Sequence, residues 1–339
     1  MLFQPIITTG DTRYAYASGV IRAKETRLLR KADFYKLAEI PTDELGKAFE
    51  EAGYYLKNSE NPSIEDYEAG LADAERETLN LIDELLPNSR LPFCLKAKYD
   101  FTNAAYLLKC QISGEKPKDA GIVHIGNLSA TRLRRLFTAG EKEKIPVEFI
   151  HSIEQAKQEY EATKNPATID ITLDKEYLSL LKNCLEGNRF IKEYIGLKSD
   201  LLNIKNFVRT RLLKLPYGFF KTVFVPFGKL ALNYFDELSD KQEEAIPTKL
   251  SVSYLGRRLG DELARAINEK EFLDFDVLCE AYELLFLDNT KFCPFGLEIV
   301  YAYWEKITLE ITTIRRIILA RLSGLPEERI RRIIPYGYL

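Results

Sequence analysis

A segment of about twenty residues occurs three times in this sequence, with roughly one hundred residues between successive copies. The copies are AKYDFTNAAYLLKCQISG at 97–114, KSDLLNIKNFVRTRLLK at 198–214 and WEKITLEITTIRRIILARLSG at 304–324. Solenoid units repeat every 20 to 50 residues or so, which is too short for this spacing. The sequence therefore predicts one small domain made three times, over residues 1–127, 128–229 and 230–339.

Apolar residues recur within each copy at spacings of three, four and four. Such spacings place side chains on one face of an α-helix, so each copy is predicted to be a helix with a buried stripe. The three matching sets are Phe101, Ala104, Leu108 and Ile112; Leu201, Ile204, Val208 and Leu212; and Ile311, Ile314, Ile318 and Leu322.

Each copy also carries an acidic residue, followed three positions later by an amide or a hydroxyl side chain. These pairs are Asp100 with Asn103, Asp200 with Asn203, and Glu310 with Thr313. A carboxylate at a helix N-terminus accepts hydrogen bonds from free backbone N–H groups and meets the favourable end of the helix dipole. We therefore expect the acidic residues to cap the three helices.

A glycine follows each copy in a similar context, within HIGNL at 124–128, PFGKL at 226–230 and PYGYL at 335–339. Gly126, Gly228 and Gly337 occupy the same place in these stretches. Glycine at such a position indicates either a backbone with positive φ or a close approach to another group.

Helical periodicity extends over most of the remaining sequence, which predicts an all-α fold. A single long helix is expected after Asp11, through residues 12–40. Further helices are predicted over 64–86, 129–139, 153–163, 174–185, 230–238, 253–269 and 275–287. Alternating runs of Val, Ile and Thr, which are typical of a β-strand, occur only in short stretches such as 167–173.

An apolar run at 217–235, YGFFKTVFVPFGKLALNYF, is interrupted by Lys221, Pro226 and Lys229. A membrane span needs about 20 consecutive apolar residues, so the run does not predict one. We interpret it as a loop and helix start packed in the core; the alternative is an apolar surface that docks on a partner.

Composition narrows the functional classes. The chain has 339 residues, 46% of them hydrophobic, and its 48 basic and 51 acidic residues leave a formal charge of -3. With charges so nearly balanced, the chain has no overall positive electrostatic field that would attract nucleic acid. Five scattered cysteines without a Cys-x-x-Cys pair indicate reduced thiols and a cytoplasmic setting. The first residues lack the basic and apolar pattern of a secretory signal.

The sequence carries no recognisable catalytic motif. It holds two histidines, His124 and His151, which excludes a His-rich metal site and leaves few candidates for a Ser-His-Asp triad. GIVHIGNL resembles a phosphate-binding loop, but Asn127 and Leu128 stand where a lysine and a hydroxyl residue are required. We predict no active site, no cofactor, no metal and no nucleotide.

Three clusters of arginine are candidates for a partner interface. They comprise Arg132, Arg134 and Arg135; Arg315, Arg316 and Arg321; and Arg329, Arg331 and Arg332. Solvated helix faces or contacts with helix C-termini also explain such clusters. An acidic protein partner fits better than nucleic acid, since aromatic stacking residues are not interleaved with them. The strongest candidates are Arg134, Arg135, Arg315, Arg316, Arg331 and Arg332.

Several stretches together resemble a known family. YAYASGVIRAKETRLL at 14–29, the D-x-x-N-I-K of 200–205, and YAYWEKITLEITTIRRIILARLSGLPEERIRRII at 301–334 are similar to the C subunit of prokaryotic V/A-type ATPases. That protein is the counterpart of the d subunit in eukaryotic vacuolar ATPases. The resemblance runs nearly end to end. The repeat departs from its own pattern in two places: Thr313 replaces the third asparagine, and the first copy has Ala104 and Ala105 where the second has Ile204 and Lys205.

The resemblance implies a funnel of three similar helical domains around a pseudo-threefold axis. It also implies a non-catalytic central-stalk subunit, which couples the central shaft of a rotary ATPase to its proteolipid rotor ring during proton or sodium transport. Such a subunit would lie at the cytoplasmic face of the membrane without spanning it. Two alternatives remain. A free-standing helical scaffold would show the same repeats, and an enzyme with an unfamiliar site would require a deep cleft holding several ionisable groups with displaced pKa values.

Overall fold

The computed structural model describes residues 3–4, 6, 10–58, 61–185 and 187–335, and its regular structure is helical throughout these ranges. The α-helices in chain order are α1 (Ala15–Glu25), α2 (Lys31–Glu39), α3 (Leu45–Glu51), α4 (Ile64–Leu85), α5 (Leu91–Ser113), α6 (Ala130–Ala139), α7 (Val147–Thr163), α8 (Ala167–Cys184), α9 (Arg189–Leu212), α10 (Tyr217–Val223), α11 (Leu232–Asp236), α12 (Ala245–Ser251), α13 (Gly256–Glu269), α14 (Leu273–Leu287), α15 (Leu297–Leu322) and α16 (Glu327–Arg332). The predicted all-α class is confirmed.

The chain forms two compact units. One unit combines residues 1–87 with 240–339, and the other contains residues 88–239. In the first, α15 packs against α1, α2 and α4; in the second, α5 packs against α6 and α8, while α9 packs against α10. The division into three repeats remains a prediction.

The three repeated segments lie in the long helices α5, α9 and α15, which we call the signature helices. They contain 23, 24 and 26 residues. The first three apolar residues of every predicted stripe are buried, as with Ile314, which is 0% exposed. Burial decreases only at the last position of the stripe, where Leu322 at the end of α15 is 42% exposed. The helical stripe is therefore confirmed.

The signature helices end in one shared geometry. Gly114, Lys214 and Gly324 have φ of 74°, 54° and 69°. The next residue in each case donates its N–H back to the last turn; for example, Leu215 donates to the carbonyl of Thr210 at 3.0 Å. This is the Schellman arrangement that satisfies free carbonyls at a helix C-terminus. Two of the three positions use glycine, whereas α9 places Lys214 in the left-handed region.

The predicted long helix after Asp11 is wrong. A short 3-10 turn at Thr12–Tyr14 precedes α1, and the chain then leaves helical geometry before α2 starts at Lys31. A capping arrangement at Arg30, whose N–H donates to the Asp33 carboxylate at 2.8 Å, starts the second helix afresh. Residues 167–173, noted as strand-like, form the first turns of α8 instead. Tertiary packing outweighs the weak preference of β-branched residues for strands.

The predicted core role of the 217–235 run is confirmed. Phe220 and Phe235 are 0% and 1% exposed. Their rings pack on each other with centroids 4.9 Å apart and on Phe207 of α9 at 5.1 and 5.3 Å. Aromatic pairs at these separations stabilise a core beyond their area of contact. The run thus anchors α10 and α11 to the signature helix α9.

None of the helices in the described ranges combines the length and the apolar character that crossing a membrane requires.

The helix end at Lys214 gives a test of backbone strain. Lys214→Gly should raise the free energy of unfolding by about 0.5–1 kcal/mol, because glycine adopts positive φ without the Cβ clash of lysine. The matched control is Lys192→Gly, an exposed position inside the same helix. That change should lower stability by about 1 kcal/mol. Urea denaturation measures the free energy of unfolding of both variants. A change of the same sign in both would contradict the conclusion that Lys214 has a strained backbone.

Candidate functional site: three buried carboxylates

The repeated acidic residue of the first copy holds the loop that follows its own helix. Asp100 is 4% exposed and lies in the middle of α5. Its carboxylate accepts from the backbone N–H groups of Asn127 and Leu128 at 3.0 and 2.9 Å, and from the Asn127 side chain at 3.0 Å. One turn along, Asn103 exchanges two hydrogen bonds of 2.8 Å with the backbone of Val123.

The second copy reproduces this arrangement. Asp200 is 0% exposed and accepts from the backbone N–H groups of Lys229 and Leu230 at 2.7 and 2.9 Å. Asn203 exchanges hydrogen bonds of 2.8 and 2.9 Å with the backbone of Val225. Each acid and amide pair therefore holds the loop that follows its helix in a fixed position. The predicted role of these acids as helix caps is wrong, because both lie inside their helices.

Close approach explains the repeated glycine. A Cβ atom built on Gly126 or Gly228 would overlap the carboxylate of Asp100 or Asp200, respectively. Neither glycine has positive φ. Of the two explanations open at the sequence level, the structure thus selects contact with the carboxylate. Gly337, the third predicted glycine, lies outside the described residues.

The third copy is completed by a distant part of the chain. Glu310, 2% exposed within α15, accepts from the backbone N–H of Leu29 at 2.7 Å and from the Tyr54 hydroxyl at 2.7 Å. Leu29 stands just before α2, as Leu128 stands just before α6. The N-terminal segment therefore supplies a loop contact to the C-terminal signature helix.

Thr313 does not share the role of the two asparagines. It is 0% exposed, and its hydroxyl donates to the carbonyl of Leu309 in its own helix at 2.8 Å. A threonine side chain is too short to bridge two backbone groups as an amide does. The third carboxylate contact is accordingly supported by the Tyr54 phenol instead.

Burial sets the electrostatics of these carboxylates. Loss of hydration raises the pKa of Asp100 above its usual value, although hydrogen bonds from Leu128 and Asn127 act in the opposite direction. For Glu310 burial is again the largest cause and raises its pKa to about 7, against lowering contributions from Tyr54 and Leu29. Burying a carboxylate is costly without such partners.

The predicted arginines mostly make ion pairs within the chain. Arg315 pairs with Glu68 at 2.9 Å, Arg316 with Glu280 at 2.6 Å, Arg331 with Glu39 and Glu327 at 2.8 and 2.6 Å, and Arg332 with Asp274 and Glu271 at 2.8 and 3.1 Å. Arg134 pairs with Asp119. Arg135 differs, since its side chain is 64% exposed and the carboxylate oxygen that it approaches, on Glu141, is 3.9 Å away. It is the best placed of the six to meet a partner.

The described residues contain no group of three side chains able to hold a metal ion. The five cysteines are free thiols. The carboxylates of Asp100, Asp200 and Glu310 accept hydrogen bonds from the fold itself, so their arrangement fixes the position of backbone segments. Sequence reasoning found the acidic positions but missed Leu29 and Tyr54, which no repeat pattern marks.

Close contact at the glycine gives a second test. Gly228→Ala should lower the free energy of unfolding by about 3 kcal/mol or more, because the added methyl displaces a buried carboxylate from its hydrogen bonds. The control Gly218→Ala lies ten residues away in α10, where an added Cβ meets no atom within 4 Å. It should be neutral or slightly stabilising. Thermal denaturation followed by circular dichroism compares them.

The difference between Asn203 and Thr313 gives a third test. Asn203→Ala should cost about 2–4 kcal/mol, since the N–H and C=O of Val225 would be left buried without partners. Thr313→Ala should cost about 1 kcal/mol, because its hydroxyl bonds only a carbonyl of its own helix. Denaturant unfolding measures both, and equal losses would show that the two positions do share one role.

The chain is similar to known proteins over nearly its whole length. A model of the ATP synthase (C/AC39) subunit family matches residues 17–333. Similar proteins include the C subunit of the A-type ATP synthase of Thermococcus kodakarensis, 24% identical, with 95% of this chain and 90% of the relative covered. The corresponding proteins of Thermococcus gammatolerans and Methanosphaera stadtmanae are 25% and 22% identical, with 95% of this chain and 90% and 87% of the relatives covered.

Proposed function

The chain belongs to the ATP synthase (C/AC39) subunit family, and on that premise we propose that it is the non-catalytic subunit joining the central shaft of a rotary ATPase to its membrane rotor ring. Rotation driven by ATP hydrolysis, or by the flow of protons or sodium ions, would pass through it. The family match over nearly the whole chain is the observation that carries this proposal.

The carboxylate contacts suit a part that transmits torque. Each signature helix is tied near its middle to a segment outside that helix, through Asp100, Asp200 or Glu310. Close-packed interiors also have low compressibility and transmit strain. The proposed role therefore requires stiffness, which these contacts supply without catalytic groups.

The proposed partners are the shaft subunits and the proteolipid ring, with the chain held at the cytoplasmic face of the membrane. A permanent joint of this kind buries on the order of 2,000 Å² in total or more. Candidate contact residues include Arg135 and the exposed leucines at the ends of two signature helices. Leu213 after α9 is 70% exposed, and Leu325 after α15 is 44% exposed.

Binding to the ring and the shaft is the direct test. The purified chain should elute from a sizing column together with detergent-solubilised rotor ring and central-shaft subunits when all are mixed. Binding to the ring alone and to the shaft alone should each be measurable but weaker. If the chain binds neither under conditions that keep the rest of the complex intact, the coupling role is wrong and a free-standing helical scaffold becomes the better explanation.

Charge reversal at Arg135 tests the proposed contact residue. Arg135→Glu should reduce the fraction of the chain that elutes with the ring and shaft at least tenfold, because the new charge repels an acidic partner. Thermal stability should not change, because the Arg135 side chain is exposed and weakly paired. Arg76→Glu is the control, since Arg76 is also more than half exposed but lies outside the predicted clusters. Unchanged binding by the Arg135 variant would remove this residue from the interface without touching the coupling role itself.

A further inference from the structure

The third carboxylate contact differs chemically from the first. Asp100 accepts from three N–H groups, which can only donate. Glu310 accepts from one N–H and one phenol, and the Tyr54 hydroxyl can either donate or accept. A proton on Glu310 can therefore be hydrogen-bonded to Tyr54 while Leu29 still donates to the other carboxyl oxygen. We call this set of three groups the Glu310 clasp.

A cavity of about 310 Å³ lies beside the clasp. Its lining includes Glu310, Tyr54 and Tyr303 together with Lys24 and Arg27. A water molecule takes about 30 Å³ of liquid volume, so the cavity has room for several. Proton exchange with Glu310 does not require the protein to unfold.

Charged groups of both signs from the elements packed on α15 line the cavity beside Glu310. Lys24 belongs to α1 and Arg27 to the connection after it, while Glu77 belongs to α4. Asp33 of α2 is a further negative charge that raises the pKa of Glu310. On α15 itself, the pKa of Tyr303 is raised to about 12, so this phenol stays neutral. Burial is the largest cause of the raised pKa of Glu310, and the Asp33 charge adds to it.

We propose that the Glu310 clasp is a proton-binding site that is closed by a proton and opened as the pH rises. The closed clasp ties the 26–30 connection, between α1 and α2, to the C-terminal signature helix. When Glu310 loses its proton, its carboxylate gains more from hydration than from one N–H and one phenol. The connection then separates from α15 more often, with the remaining fold intact.

The direction follows from linkage. The pKa of Glu310 is about 7 in the closed clasp and returns toward 4.5 when the group is hydrated. Between these values the closed state holds a proton that the open state releases, so a higher pH favours opening. The full difference corresponds to roughly 300-fold in the opening equilibrium. About tenfold of it falls between pH 6 and pH 8, mostly below pH 7.

Hydrogen exchange of the full-length chain tests the clasp. Exchange at residues 26–30 is followed by mass spectrometry at pH 6, 7 and 8, and the rates are corrected for intrinsic exchange. Protection of this segment should fall about tenfold from pH 6 to pH 8. In Glu310→Gln, which is neutral throughout, the corrected protection should not change with pH. The measurement uses the chain alone, so it is independent of the proposed coupling role.

Two further variants separate a proton site from a merely structural contact. Glu77→Gln changes another carboxylate of the same cavity and should retain the tenfold dependence. Tyr54→Phe removes a donor to the ionised carboxyl and should move the transition to higher pH; this variant decides the matter if Glu310→Gln does not fold. Equal protection at pH 6 and pH 8 in the unaltered chain, or an unmoved transition in Tyr54→Phe, would overturn the proposal.

Discussion

A buried carboxylate that accepts backbone N–H groups is the interaction on which this fold depends. An ionised group in a protein interior is unfavourable unless several donors converge on it. Asp100 and Asp200 obtain these donors by drawing a loop across the middle of a long helix. The loop can come so near only because glycine stands at 126 and 228, where a Cβ would strike the carboxylate. The repeated acid, amide and glycine are thus three parts of one contact.

The third contact closes the chain on itself. Glu310 in α15 holds Leu29, which is separated from it by 281 residues, so the compact unit containing both is built from the two ends of the sequence. Glutamate is one methylene longer than aspartate, and it reaches both Leu29 and Tyr54. This variation makes the third site chemically more adaptable than the first, because a phenol tolerates either protonation state of its partner. The proposed coupling role favours firm ties throughout, whereas the proposed Glu310 clasp leaves one tie sensitive to protons.

Sequence reasoning succeeded where a pattern has one physical meaning. Apolar residues spaced by three and four predicted the signature helices, and the structure buries Phe101, Leu201 and Ile311 as expected. It failed for the acidic residues, since a carboxylate near the start of a repeat is also typical of a helix cap. Each signature helix begins about ten residues before its acidic residue. The residues between the helix start and the repeated segment, such as RFIKEYIGL at 189–197, are as apolar as the repeated segment itself. No local signal separates a cap from a buried mid-helix acid.

Sequence reasoning also missed the break between α1 and α2, again because no local signal marks it. Residues 12–40 carry helical periodicity throughout, and the interruption at 26–30 is stabilised by Glu310, far away in the sequence. The sequence by itself determined the all-α class, the three signature helices and the positions of their polar residues, because these depend on short-range periodicity. Tertiary structure alone decided what the buried carboxylates hold, why glycine is required, and which end of the chain completes the third contact. Those outcomes depend on groups that come into contact only after the helices have packed, and the spacing of residues along the chain does not specify these contacts.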